Sequence, residues 1–244
     1  MSETTANSSE KAARADSTAG IMNLVFNVIV PALILNKGSD HIGPLWALLI
    51  ALAFPLGFGL SDLLRNKKWN PLSILGFLNV MVTGGLALLG LGGIWFSIKE
   101  AFFPFIIGVF VWLSSRKEKP LVKTFLLNPQ TMHVELIEER LREKNREVDF
   151  TRLLQFSTKL LSVSFFLSAI LNFVLAERIF TDLDPSLDAT QKSILLNQQI
   201  AQMTTWSAGV IVIPSTLFLI FILWHLLKGI RQLTDLTTDQ ILRG

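Results

Sequence analysis

Of 244 residues, half are apolar and only 17% are charged, a balance that excludes a disordered chain and argues against a water-soluble globule, whose surface needs more polar cover. The absence of Cys removes disulfides, thiolate metal sites and a Cys nucleophile. A net charge of +3 says less than where the charges fall along the chain.

Residues 1–19 are polar and carry both charge signs, so they read as a disordered cytoplasmic tail. The membrane domain then occupies about residues 20–227. Its six apolar stretches lie at about 21–35, 45–60, 72–91, 94–113, 153–176 and 205–227. Crossing ~30 Å of hydrocarbon takes ~20 helical residues, so the last four stretches fit and the first two are short. That first pair is also compatible with a tilted or re-entrant hairpin. The predicted fold is all-α, a polytopic bundle of six spans.

With the N-terminus inside, seventeen Lys and Arg fall in cytoplasmic segments and three, Lys37, Arg178 and Lys192, fall outside. The positive-inside rule therefore puts both termini in the cytoplasm. Tryptophan agrees with this, because its ring is apolar while its N–H seeks a polar partner at the membrane interface. Trp46, Trp95 and Trp206 sit at outer ends of spans, and Trp69, Trp112 and Trp224 at inner ends.

Between the fourth and fifth spans, Asn128 and Pro129 have the form of a helix start, which predicts a cytoplasmic amphipathic helix over 129–148. Val134, Ile137, Leu141 and Val148 make its apolar stripe, which lies on the inner membrane surface or caps the bundle, or else is a candidate face for a protein partner. Glu135, Glu138, Glu139, Glu143 and Glu147 nearly cancel its basic residues, which argues against nucleic acid. Outside, Asp188 and Gln191 have capping-box spacing and open a predicted helix over 188–203 lying on the outer surface. Asp182 and Asp184 lack the further oxygen ligands of a calcium loop, so no metal is expected. Residues 228–244 read as a cytoplasmic tail.

Ionisable and amide groups inside the spans are candidates for function. Asn23 and Asn27 share one face of the first span, Asn79 and Thr83 one of the third, and Ser164, Ser168 and Asn172 one of the fifth. Lys99 and Glu100 enter the fourth span from outside. Packing between helices explains such stripes. The sharper expectation is that Asn23, Asn27, Asn79, Thr83, Lys99, Glu100 and Asn172 form an intramembrane polar core that binds or passes a small solute. No P-loop, GxGxxG, HExxH or GxSxG motif occurs, and the three histidines are scattered. The expectation is therefore a protein with neither catalytic residues nor cofactor.

Three stretches carry a family resemblance. They are Val82-Thr83-Gly84-Gly85-Leu86-Ala87-Leu88-Leu89, Trp95 with Lys99, and Lys119-Pro120-Leu121-Val122-Lys123-Thr124-Phe125-Leu126. In that order the chain resembles the bacterial intracellular septation protein A family over about residues 25–175. The basic turn Arg65-Asn66-Lys67-Lys68 and Phe165-Phe166 with Leu171-Asn172-Phe173 also sit where that family has similar residues. The N-terminal tail, the insertion around 127–150 and the outer segment 177–204 depart from its pattern. The resemblance implies a multi-spanning bacterial inner-membrane protein that acts in envelope synthesis or septation through protein contacts. Other envelope or division membrane proteins, or a second copy of this chain, are the expected partners.

Overall fold

The computed structural model describes residues 25, 29–66, 71–127 and 131–242. Among them every regular element is helical, apart from one antiparallel bridge between Met132 and Leu242. The chain divides into two compact units, residues 1–99 with 174–208 and residues 100–173 with 209–244.

The first unit begins with α1 (Val30–Leu33), a π turn (Ile34–Gly38) and α2 (Ser39–Ile42). Gly43, at φ +85°, makes the left-handed break after α2. Helix α3 (Pro44–Asn66) follows, with Pro44 at its first position, where a missing N–H leaves no bond unmade. Helix α4 (Pro71–Leu88) contains most of the predicted third span but stops short of Leu91, because Gly90 (φ +65°) and Gly93 (φ +54°) turn the chain.

Three longer helices follow. Helix α5 (Ile94–Ser114) matches the predicted fourth span within a residue and contains Pro104. Helix α8 (Glu147–Ile179) has 33 residues and extends past both predicted ends of the fifth. The run from Ala189 to Thr234 is helical for all 46 residues as α9 (Ala189–Ser207), a second π turn (Ala208–Val212) and α10 (Ile213–Thr234). Pro214 lies in the first turn of α10, and the widened turn before it relieves the clash of its ring with the preceding turn. Between α5 and α8 the second unit adds α6 (Leu121–Leu126) and α7 (Val134–Glu143), and after α10 it adds α11 (Thr238–Ile241).

These three runs are long and apolar enough to cross a membrane, and less than a third of each apolar window is buried inside the protein. Phe110, Leu217 and Ile220 are among the large side chains left facing outward. Such an exterior is the signature of a surface meant for lipid.

Two predicted boundaries are corrected. The helix expected over 129–148 starts at Val134 among the described residues, because Met132 bridges to Leu242 and the His133 N–H donates to the Ile241 carbonyl at 2.9 Å. It ends at Glu143 in a Schellman cap: Asn145 takes φ +54°, Arg146 N–H reaches the Leu141 carbonyl, and Asn145 N–H reaches that of Arg142. Of the expected tail, residues 228–234 continue α10 and Thr238–Ile241 form α11, with Leu236 and Ile241 buried. The proposed start at Asn128 and Pro129 lies outside the described residues.

Close helix contacts in the second unit depend on glycine. A methyl group at Gly229 would come within 2.5 Å of Leu153, whereas one at Gly85 in the first unit would meet nothing within 4 Å. Gly229→Ala should therefore lose stability by about 1–3 kcal/mol through overpacking, outweighing at most ~1 kcal/mol of helix propensity. Gly85→Ala should gain from propensity alone. Opposite shifts in the thermal unfolding of the two variants in detergent are expected, and shifts of equal sign would refute this account of the contact.

Candidate functional site

The residues of the predicted polar core are divided between the two units and the part of the chain outside the described residues. Asn23 and Asn27 lie outside the described residues. Asn79, Thr83 and Lys99 belong to the first unit, while Glu100 and Asn172 belong to the second. Each stripe turns its hydrogen bonds back onto its own helix: Thr83 Oγ1 donates to the Asn79 carbonyl at 2.8 Å, and Asn172 Nδ2 to the Ser168 carbonyl at 2.7 Å. Ser164 does likewise to Leu161. Such back-bonding satisfies a hydroxyl or amide where no water reaches it. Lys99 is buried at 6% exposure and Glu100 is half-buried.

The first unit has a different polar centre, built on α9. Asp188 caps this helix with the expected reciprocal box, its carboxylate accepting from Gln191 N–H at 2.8 Å while Gln191 Oε1 accepts from Asp188 N–H at 3.1 Å. Helix α9 packs against α1, the first π turn, α3 and α4, and buries Leu196, Asn197, Gln199, Ile200, Ala201 and Met203. Asn197 Nδ2 donates to Ser39 Oγ at 3.0 Å and to the Pro44 carbonyl at 2.9 Å, and Ser39 Oγ donates on to the Leu35 carbonyl at 2.7 Å. One amide thus ties together both sides of the Gly43 break.

Gln199 Nε2 donates to Thr181 Oγ1 at 2.9 Å, but its Oε1 is buried with no hydrogen-bond partner among the described residues, as is Ser97 Oγ. Around this region Phe96 stacks on Phe180 with ring centroids 4.3 Å apart. Asp182 sits over Gly93, where any side chain would collide with it. Asp184 faces other partners: its Oδ1 accepts from Ser186 N–H and Oγ, and these bonds hold the carboxyl below its usual range. Sequence reasoning missed Ser39, Asn197 and Gln199. The available signal was an amide inside the Leu196, Ile200 and Met203 stripe.

The candidate partner face is divided by the structure. Ile137 and Leu141 are buried in the second unit's own core with Val122, Phe150, Leu226 and Ile230. Val134 packs at its edge, and Val148, already on α8, is 65% exposed. Ile137 and Leu141 are thus covered from within by α10 and α11, while Val148 stays exposed. Ion pairs fasten the periphery, Lys123 to Glu138 at 3.0 Å and Lys144 to Asp235 across the end of α10. The Lys144 ammonium beside Asp235 holds that carboxyl below its ordinary value. Among the described residues no group of three or more His, Asp and Glu converges as a metal site would require.

No protein-family model matches the chain, and comparisons with curated proteins and with solved structures give no match. The likeness to the septation protein A family therefore rests on the sequence motifs alone.

Two outcomes follow from this geometry. Asn197→Ala removes two buried hydrogen bonds and leaves a small void, for an expected loss of about 2–4 kcal/mol, against about 1 for Ser39→Ala. Unfolding in detergent measures both, and equal small losses would contradict the tie. Because the Asp235 pKa is lowered from 3.8, its pairing stabilises fully above that value and is lost as pH falls through the lower folded value. Carboxyl NMR titration should place the Asp235 midpoint below 3.8 and return it upward in Lys144→Gln; an unmoved midpoint would disprove the assignment.

Proposed function

We propose that the chain is a non-catalytic, six-span protein of the bacterial inner membrane, with both termini cytoplasmic, that acts in envelope biogenesis or septation by binding other membrane proteins. The observation that carries this reading is the folded cap of the second unit. Eleven buried hydrophobic residues from α6, α7, α8, α10, α11 and their connections build a small core in the segments that hold most of the chain's Lys and Arg. By the positive-inside rule these segments are cytoplasmic. A rigid, soluble-type core beside apolar helices is suited to presenting a defined surface. With Ile137 and Leu141 turned inward, that surface is the ionic outer side of α7, where Glu135, Glu139 and Arg142 are exposed. The motif resemblance supports the septation context.

Buried Gln199 Oε1 and Ser97 Oγ favour a second reading, a small transporter that offers acceptors to a polar solute inside the first unit. In vivo crosslinking from the outer side of α7, followed by mass spectrometry, should recover envelope or division proteins. Glu135→Lys with Glu139→Lys should abolish that recovery while the cap stays folded, whereas Ile137→Glu should unfold the cap, since burying a charge there exceeds what the core tolerates. Unchanged recovery after the double reversal sinks the interaction reading. Solute flux by the purified protein, lost in Gln199→Leu, would favour the transporter instead.

A further inference from the structure

At the end of α10 a groove of about 700 Å³ opens on the second unit, lined by Trp224, Leu227, Lys228, Arg231, Leu236 and Thr237 among others. We propose that this groove binds the headgroup and upper chain of an anionic phospholipid of the inner leaflet, its phosphate held between Lys228 and Arg231. The proposal rests on the reading that α10 crosses the membrane with its C-terminal end in the cytoplasm.

Three observations carry it. Trp224, Lys228 and Arg231 are spaced i, i+4 and i+7, so they share one helix face and climb about 10 Å along it. That order, an interfacial ring followed by two cations, matches the depth order of a lipid's glycerol region and phosphate. Lys228 Nζ lies 5.1 Å from the Trp224 ring centroid, which holds the ammonium at the rim.

The two cations are also unspent. Neither Lys228 nor Arg231 makes an ion pair with any described residue, and both are exposed. Asp235, the one acid in the lining, is neutralised by Lys144 and feels Arg146 as well. The net field in the groove is therefore positive.

The floor selects lipid over free phosphate. Leu227, Leu236 and the Trp224 ring give the groove an apolar bed that an inorganic anion cannot use. Further back along α10, exposed Leu217, Ile220 and Phe221 continue an apolar exterior on which acyl chains can lie. Thr237, whose side chain caps α11, also lines the groove.

The test titrates the full-length protein in detergent with short-chain phosphatidylglycerol, phosphatidylcholine and inorganic phosphate, reading bound lipid by native mass spectrometry. Phosphatidylglycerol should bind in preference to phosphatidylcholine. Lys228→Gln with Arg231→Gln should weaken it roughly 30-fold, from about fivefold per cation near a membrane surface. Lys228→Arg should retain binding. Lys117→Gln with Lys119→Gln removes the same charge elsewhere in the second unit and should leave binding unchanged. Equal affinity for the two lipids, an equal loss in both double variants, or displacement by inorganic phosphate overturns the proposal. Flotation of the same preparation with phosphatidylcholine vesicles reports membrane insertion by itself, so a failed headgroup site and a failed membrane reading give different results.

Discussion

Outward-facing apolar surface along α5, α8 and the run from Ala189 to Thr234 is the constraint from which the other features follow. Less than a third of each apolar window is covered by the protein, so lipid has to solvate the remainder. In that solvent every backbone N–H and carbonyl must find its partner inside the chain, which a helix achieves within each apolar segment. The same condition governs the polar side chains. Thr83, Ser164 and Asn172 bond to carbonyls three or four residues back, and Ser162 Oγ reaches across to the Gly108 carbonyl at 2.8 Å.

Where the chain leaves its apolar helices, the physics changes to that of a soluble core. Helix α7 is too short and too polar to persist alone, and it becomes stable by burying Ile137 and Leu141 against Leu226 and Ile230. The C-terminal residues complete this core through Leu236, Ile241 and the bridge from Leu242 to Met132. In the first unit Asn197 has the opposite character, a buried amide whose bonds to Ser39 and Pro44 specify one arrangement of the chain around Gly43.

Much of this was legible beforehand. The extent of α5 and the existence of a long apolar helix at α8 follow from composition and helix rise, and the Asp188 to Gln191 cap from spacing, because both depend on residues near one another in the chain, although α8 runs past both expected ends. The Schellman end at Lys144-Asn145 had a local signal too, an asparagine suited to φ > 0. That turn moves Val148 onto another helix, whereas the covering of Ile137 and Leu141 by Leu226, Ile230 and Ile241 had no local signal, since it joins segments far apart in the chain.

By itself the sequence determined that the protein is helical, that its helices carry more apolar surface than a water-soluble fold can hide, and that its cations are strongly biased to one set of connecting segments. Those properties are sums over neighbouring residues. Only the tertiary structure decided that the partner stripe is already occupied by the chain's own C-terminus, that α9 buries Asn197 and Gln199, and that Lys228 and Arg231 share a groove with Trp224. Each of these joins surfaces far apart in the chain, and periodicity specifies which face of a helix is apolar without specifying what will cover it.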